Sequence, residues 1–496
     1  MNLRAKYSFL CKNILLLPMI KRLKTTVFTC LTLAFACIQT YAQIPEQFKP
    51  IDQFIQQNMD KNHIPGLSIA IVNKDQVIFS KGYGKDGENK AIISSTPFAI
   101  ASLSKAFTAM AVMQLVEAGK INLDAPVKQY IPSFKMADAR ADKITVRQFL
   151  NQTSGLSDVV YPELSFKQQP ASTKNTIDNL KDVELDSNPG ETFRYHNPNY
   201  HIMAHLVEIV SQEKFADYLQ KHIFTPLQMT HTSSHHSTLE FQRKVPQGNI
   251  FVFGQAVKTN EPNWFIEGSA GLVSTTSDLA KWLRLYLNKG EYQGQRLLSE
   301  KGIETMFSHP ANSSYGLGWF VDPQKNVSHS GVFWTYQAEQ MILAKEGYGI
   351  VILFNSGINA FQDYHSFMLG VSNILTNQAA ETSFMNDSMY ELLIATFIII
   401  TLILTVFSFR NMKMWVIKHR AKSSWVIISK NIVRLLPLVL LALAPTLLTL
   451  ISHRVLSWER IFLMAPSVII WLGIVAFCNL MVVVSRSIRL RSRDNF

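Results

Sequence analysis

Three apolar stretches near the C-terminus constrain the fold of this chain more than any other feature. They occupy residues 390–409, 435–451 and 461–485. Each is nearly or wholly free of charge and about as long as a helix that crosses a bilayer. The connection 410–434 carries seven lysines and arginines and the end 486–496 carries four, whereas 452–460 carries two. Because basic loops stay in the cytoplasm, the sequence predicts that 452–460 and the region before the first span lie outside.

The basic surplus of the chain sits beside its apolar segments. Of the formal charge of +12, residues 1–42 contribute +6 and residues 389–496 contribute +10, which leaves the middle at −4. The middle region, 43–388, therefore has no excess of basic residues that would bind nucleic acid. The four cysteines are Cys11, Cys30, Cys37 and Cys478, all outside the middle. A disulfide, a cysteine nucleophile and a cysteine-bound zinc are therefore excluded there, and we expect no metal and no cofactor.

The first 42 residues are typical of an export signal. A basic start at Met19–Lys24 precedes an apolar core at Val27–Ile38, and Ala42 ends a plausible cleavage site. An uncleaved anchor is the alternative, and translation could begin at Met19 instead of Met1. The predicted organisation is a leader at 1–42, an exported domain at 43–380 and a membrane domain at 388–496.

Strand patterns at both ends of the middle region predict an α+β fold. Leu67–Val72 and Gln76–Lys81 flank a turn, and four short strand-like runs follow Gly316. The region between them has helical periodicity, as in the apolar run from Ala106 to Val116. We expect an antiparallel sheet built from both termini, flanked by helices, with a helical subdomain inserted, followed by three transmembrane helices.

Ser102 and Lys105 are the strongest candidates for chemistry. A spacing of three puts both side chains on one face of a helix, where the amine can take the proton of the hydroxyl. The apolar run that follows predicts a helix that Ser102 caps. A second copy of the motif, Ser211 to Lys214, closes a helical pattern and is interpreted as a solvated helix end. The case for Ser102 therefore depends on partners elsewhere.

Acyl transfer also needs a proton donor, a group that orients the substrate and donors for an oxyanion. Tyr195 and Asn197 stand in a loop rich in proline and asparagine. A phenol beside a protonated lysine loses its proton more easily, so Tyr195 could act as base and then acid. His329 and Gly331 open a strand along which a substrate could lie. An ordinary turn and a strand with a surface histidine are the alternatives for these two triplets.

In this order, Ser102-x-x-Lys105, Tyr195-x-Asn197 and His329-x-Gly331 resemble the signature of the serine β-lactamase and penicillin-binding-protein family, in its class C-like branch. The likeness covers roughly residues 45–378, and the added spans make it most similar to the membrane-anchored FmtA-like members. The resemblance implies a β-lactamase/transpeptidase-like fold.

The resemblance also implies a role for each residue. Ser102 would form an acyl-enzyme, and Lys105 and Tyr195 would together carry out the proton transfers. Asn197 would hold the acylamide side of the substrate. The backbone N–H groups of Ser102 and Val332 would form the oxyanion hole.

The third motif departs from the pattern, because His329 stands where β-lactamases of this type carry lysine. Histidine is mostly neutral at pH 7, so the fixed charge for a β-lactam carboxylate is missing. The resemblance implies that His329 helps to bind a substrate carboxylate or tunes Tyr195. The histidine form is common among the esterases of the family.

Two functions remain open. The first is an exported serine hydrolase of the cell membrane that acts on a peptidoglycan- or teichoic-type ester or D-amino-acid amide. The second is a catalytically weak protein that binds or senses envelope components through the same pocket, which the three spans mildly favour. A transporter is poorly supported because the spans contain no buried ionisable residue of the usual functional kind.

Overall fold

The computed structural model describes residues 45–360, 362–380 and 387–491. The predicted leader at 1–42 lies outside the described residues, as do Cys11, Cys30 and Cys37. Cys478 is a buried free thiol.

The bounds of the regular elements are as follows. The α-helices are α1 (Lys49–Lys61), α2 (Ser104–Glu117), α3 (Val146–Leu150), α4 (Thr173–Asp178), α5 (Pro198–Ser211), α6 (Phe215–Leu219), α7 (Thr238–Phe241), α8 (Thr276–Leu287), α9 (Glu300–Phe307), α10 (His365–Leu375), α11 (Asp387–Arg410), α12 (Met412–Arg420), α13 (Ser424–Ser452), α14 (Trp458–Met464) and α15 (Pro466–Arg491). The strands of the main sheet are β1 (Gly66–Val72), β2 (Val77–Gly84), β3 (Phe320–Val321), β4 (Val327–Val332), β5 (Gln337–Leu343) and β6 (Tyr348–Phe354).

The main sheet is antiparallel throughout, with the strand order β3-β4-β5-β6-β1-β2. The N-terminal hairpin therefore joins the C-terminal strands through β1 and β6, where Leu67 pairs with Phe354. This pairing confirms the predicted α+β fold with a sheet built from both ends of the domain.

Helices cover both faces of the sheet. Gly349 of β6 faces Leu283 of α8, where a Cβ would come within 3.0 Å of the leucine. Phe354 of the same strand packs its ring against Phe367 of α10 at 5.3 Å between centroids. Because alternate residues of a strand point to opposite faces, α8 and α10 lie on opposite sides. This covering explains why β1 is buried along its whole length.

The inserted region surrounds α2, the most buried helix of the domain. Phe107 stacks on Trp282 of α8 with ring centroids 3.8 Å apart. A small sheet pairs Leu272–Ser274 with Phe98–Ala99 and Ser233–Ser234. The insertion is therefore not wholly helical, and these strands of two or three residues gave no periodic signal in the sequence.

Three helices are long and apolar enough to cross a membrane, at Met389–Arg410, Ser424–Ser452 and Pro466–Arg491. They confirm the three predicted spans, with two differences in their bounds. The second helix begins at Ser424 and continues through Pro437 and Pro445. The third begins at Pro466, because proline lacks an N–H group and suits the first turn of a helix, so α14 forms a separate helix before it.

Candidate active site

Ser102 lies in a tight turn just before α2. Residues 101–103 form one turn of 3₁₀-helix, and Ala101 has a φ of 46°, in the left-handed region. A non-glycine residue held there is strained and must be fixed by its surroundings. The prediction that Ser102 caps the helix is wrong, because no side chain caps its first turn. Ser104 makes the local contacts instead, since its hydroxyl donates to Ala101 O at 2.6 Å and accepts from Leu272 N at 3.0 Å.

Lys105 is fully buried, and its amine is fixed by three contacts. Nζ donates to Asn197 Oδ1 at 2.8 Å and to Ser269 O at 2.9 Å, and it lies 3.1 Å from Ser102 Oγ. Burial holds the pKa of Lys105 well below its ordinary value. A neutral amine has two N–H groups and one lone pair. Because Asn197 Oδ1 and the Ser269 carbonyl can only accept, they take the two N–H groups and leave the lone pair for the Ser102 hydroxyl.

Tyr195 borders the same cavity as Ser102. Its ring centroid lies 4.7 Å from Lys105 Nζ. Burial raises the pKa of Tyr195 above its ordinary value, and this effect outweighs the opposing effect of the nearby Ser102 hydroxyl. The expected ease of deprotonation beside a charged lysine is therefore wrong for the resting site, where the phenol keeps its proton. The opposite shifts of the two pKa values suit Lys105 to accept a proton and Tyr195 to donate one.

Gln152 holds the loop that carries Tyr195. Its side-chain oxygen accepts from His196 N at 3.1 Å and from Asn199 Nδ2 at 2.6 Å. Its backbone carbonyl accepts from Arg194 N at 2.9 Å. One glutamine thus fixes the backbone on both sides of Tyr195.

Asn197 bridges the lysine and a buried carboxyl group that the sequence did not reveal. Its Nδ2 donates to Glu163 Oε1 at 2.9 Å, while its Oδ1 accepts from Lys105. Trp264 Nε1 donates to the other oxygen of Glu163 at 2.5 Å. Burial, reinforced by Asp158, raises the pKa of Glu163. Asn197 borders the cavity, so its contact with a substrate amide stays a prediction.

His329 is buried on β4, and both of its ring nitrogens already have partners. Its Nδ1 lies 2.7 Å from Ser330 O and its Nε2 lies 3.0 Å from the Tyr315 hydroxyl. Because a carbonyl only accepts, we assign the proton to Nδ1, and Nε2 accepts from Tyr315. Burial and nearby Lys105 lower the pKa of His329 to about 3. Its one N–H group is thus occupied, so the predicted hydrogen bond to a substrate carboxylate does not fit. Its ring does pack beside Tyr195.

The strand that carries the third motif lies against the turn that carries Ser102. Gly331 approaches Ile100 so closely that a Cβ would come within 2.2 Å of its carbonyl oxygen. The neighbouring strand β3 pairs only with Val327 and Ser328. In the described sheet the outer edge of residues 329–332 therefore has no further strand, as expected for a substrate-binding edge. Val332 ends this edge and borders the cavity beside Ser102.

Asp158 and Arg454 complete the site, and neither was found from the sequence. Asp158 is buried, with Oδ1 2.8 Å from His196 Nδ1 and Oδ2 2.7 Å from Arg454 Nη1. Burial opposes the charge of Asp158, but Arg454 and His196 outweigh it and lower its pKa. Arg454 borders a cavity of about 490 Å³ that Ser102, Tyr195 and His329 also line. Arg454 comes from the connection between α13 and α14. In the sequence, the basic residues of this connection predict only the membrane topology.

The family follows from a comparison of the whole domain. A family model described as beta-lactamase matches residues 51–366. The chain belongs to the beta-lactamase family. Protein flp of Staphylococcus aureus (strain NCTC 8325 / PS 47) is 30% identical over 378 residues, which make up 74% of this chain and 75% of that protein.

Solved structures agree with this family assignment. The octameric penicillin-binding protein homologue from Pyrococcus abyssi matches with a TM-score of 0.59 and 26% identity, over 67% of this chain and 78% of that chain. FmtA from Staphylococcus aureus matches with a TM-score of 0.55 and 20% identity, over 70% of this chain and 93% of that chain, which shows a shared fold. The resemblance inferred from the three motifs is thus confirmed.

Proposed function

We propose that this beta-lactamase family member is an exported, membrane-anchored serine hydrolase that forms an acyl-enzyme on Ser102. Its acyl donor would be a cell-envelope ester or D-amino-acid amide of the peptidoglycan or teichoic type. The observation that carries the proposal is the environment of Lys105, whose two other partners only accept and whose lone pair therefore meets Ser102.

The geometry supports a simple acylation step. Lys105 Nζ takes the proton of Ser102, and Oγ forms a bond to the carbonyl carbon of the donor. The carbonyl electron pair moves to oxygen, which the N–H groups of Ser102 and Val332 would stabilise. The carbonyl then re-forms as the bond to the leaving group breaks, and Tyr195 protonates that group and regains a proton from Lys105. A water molecule then gives a proton to Lys105 and attacks the acyl carbon, and the bond from that carbon to Ser102 Oγ breaks as Lys105 returns the proton to Oγ.

The contacts of the membrane helices support an external active site. The positive-inside rule places the start of α11, the end of α13 and the start of α15 outside. The structure brings these three ends against the catalytic domain. Gly254 faces Glu391 of α11, and Phe253 N donates to Ser467 Oγ of α15 at 2.9 Å. Arg454, two residues after α13, borders the cavity.

Labelling of the full-length protein in detergent tests the proposal. A fluorescent penicillin and a fluorophosphonate are used as probes with wild type, Ser102→Ala and the matched control Ser211→Ala. We expect wild type and Ser211→Ala to be labelled and Ser102→Ala to remain unlabelled. Equal labelling of Ser102→Ala would refute the role of Ser102. No adduct from either probe, nor from a series of esters and D-alanine peptides, would favour the binding or sensing function.

A further inference from the structure

The connection between α13 and α15 is fixed to the catalytic domain over the cavity of Ser102. Trp334 Nε1 donates to Arg460 O at 3.0 Å, and Arg460 Nη2 donates to Asn263 O at 3.1 Å. Ala360 N donates to Met464 O at 3.2 Å. The Arg460 guanidinium also lies 4.8 Å from the ring centroid of Trp334. These contacts hold residues 454–464 in one place relative to the site.

Arg454 projects from this connection into the site. Its guanidinium carbon lies 5.7 Å from the ring centroid of Tyr195, and its side chain keeps 28% of its surface exposed. Among the described residues, its side chain makes one hydrogen bond, from Nη1 to Asp158. Because a guanidinium has five N–H groups in a planar fork, most of them remain available to a ligand.

Arg454 provides the positive charge that the third motif lacks. Of the described residues that border the cavity, it is the only lysine or arginine. Burial opposes its charge, but Asp158 and then Glu163 outweigh this and raise the pKa of Arg454. His329 cannot replace it, because its single N–H group is bonded to Ser330 O.

The wall of the cavity next to Arg454 is apolar and belongs to the membrane domain. Leu448 and Met464 come from the ends of α13 and α14, and Leu456 lies between them. Trp264 and Ile358 border the same cavity from the catalytic domain. Leu448 lies four residues before the end of α13, about 6 Å along its axis at 1.5 Å per residue. The cavity thus extends to the end of a helix that is predicted to span the bilayer.

We propose that Arg454 is a substrate-binding residue of the acyl-transfer site and that the site accepts an anionic amphiphile. The guanidinium would bind a carboxylate or phosphate group of the acyl donor, and the wall formed by Leu448, Leu456 and Met464 would hold its aliphatic part. The membrane domain is then part of the active site rather than an anchor alone. This inference rests on the proposed function and specifies its substrate class.

Matched umbelliferyl esters test the inference on full-length protein in nanodiscs. Acetyl and octanoyl donors are compared, the octanoyl donors ending in a methyl, a carboxylate or a phosphate group. We expect wild type to prefer the anionic octanoyl donors. We expect Arg454→Gln to lower kcat/KM for these donors about tenfold or more beyond any loss on the neutral donors, as for the loss of a charged hydrogen bond. Arg454→Lys is expected to restore part of the preference.

Controls separate a binding role from a structural one. Arg243→Gln removes an exposed arginine of the catalytic domain and is expected to behave like wild type. Asp158→Asn removes the ion pair and leaves the Arg454 cation. If Arg454 only fixes the connection between α13 and α14, Arg454→Gln and Asp158→Asn will lower kcat/KM for every donor by the same factor. That result overturns the inference. Equal rates of wild type and Arg454→Gln on anionic donors also overturn it. Comparison of the octanoyl donors that end in a carboxylate and in a phosphate shows which anion the site binds.

Failure of this inference is distinguishable from failure of the proposed function. If Ser102 is needed for turnover of the neutral esters but substitution of Arg454 has no effect, only the proposed substrate class is refuted. If wild type and Ser102→Ala turn over every donor at the same rate, the proposed serine hydrolase function is itself refuted.

Discussion

Arg454 and Asp158 form a 2.7 Å ion pair although 296 residues separate them in the chain. Asp158 also contacts His196, the residue between Tyr195 and Asn197. The pair therefore links the connection between α13 and α14 to the loop that carries two of the predicted site residues.

A double-mutant cycle tests this link. Arg454→Met leaves the buried Asp158 carboxylate without its cationic partner, which we expect to cost about 3 kcal/mol of unfolding free energy. Asp158→Asn in the Arg454→Met background should recover part of that loss, with a coupling energy above about 1 kcal/mol. Unfolding of the full-length protein in detergent is followed by tryptophan fluorescence. Strictly additive effects of the two substitutions would show that the pair does not link the two parts.

Tyr195→Phe tests the assignment of the proton donor. The substitution keeps the ring beside Lys105 but removes the phenolic proton. We expect a loss of about 10²-fold or more on amides and alkyl esters, whose leaving groups need protonation. Nitrophenyl esters should lose much less, because nitrophenolate leaves without a proton. Equal losses on both kinds of donor, measured as kcat/KM, would exclude Tyr195 as the acid for the leaving group.

The pH dependence of acylation tests the role of Lys105. Its folded pKa lies well below 10.5, so the amine becomes a free base at a lower pH than an exposed lysine. We expect the rate of acylation to rise through this depressed pKa and to reach its plateau at a lower pH than an exposed lysine would give. A rate that keeps rising tenfold per pH unit up to pH 10 would contradict a depressed pKa.

Two substitutions provide the controls for the pH profile. Lys105→Arg should abolish acylation at every pH, because a guanidinium does not deprotonate in proteins. Lys214→Ala, in the second copy of the motif, should leave the profile unchanged. Acylation is followed by stopped-flow mixing with a fluorescent penicillin.

Cysteine labelling in intact cells tests the topology. His453 is exposed after α13, and Ser423 is exposed before it. We expect a membrane-impermeant maleimide to label His453→Cys in intact cells and Ser423→Cys only after permeabilisation. The protein without either substitution keeps its native cysteines, of which Cys478 is buried, and gives the background signal. The reverse pattern would place the catalytic domain in the cytoplasm.

The motifs could be predicted because each one is local in the chain. Ser102 and Lys105 are brought together by one helical turn, and the decoy at Ser211 lies at the end of α5, where its hydroxyl bonds to Val207 O. The six-stranded sheet was also predictable, because its strands are short apolar runs separated by turns such as Asn73–Asp75 and Lys345–Gly347. The family resemblance then supplied the order of the three motifs.

The rest of the site could not be predicted because it depends on contacts between distant segments. Asp158 and Glu163 lie in a stretch without periodicity, and only the folded chain brings Asp158 beside His196 and Glu163 beside Asn197. The pKa of Tyr195 was predicted in the wrong direction because a nearby lysine is visible in sequence, whereas burial is not. In the sequence, Arg454 is explained by its place among the few basic residues of a short external loop, so no pattern there indicates a role in the site.

The mass of the intact acyl-enzyme tests the central claim most directly. Full-length wild type is mixed with an excess of a β-lactam or activated ester, quenched in acid, and analysed by intact-mass and peptide mass spectrometry. We predict one acyl adduct per chain, on the peptide that contains Ser102, absent from Ser102→Ala and retained in Ser211→Ala. An adduct on any other residue, or an equal adduct on Ser102→Ala, would contradict the account.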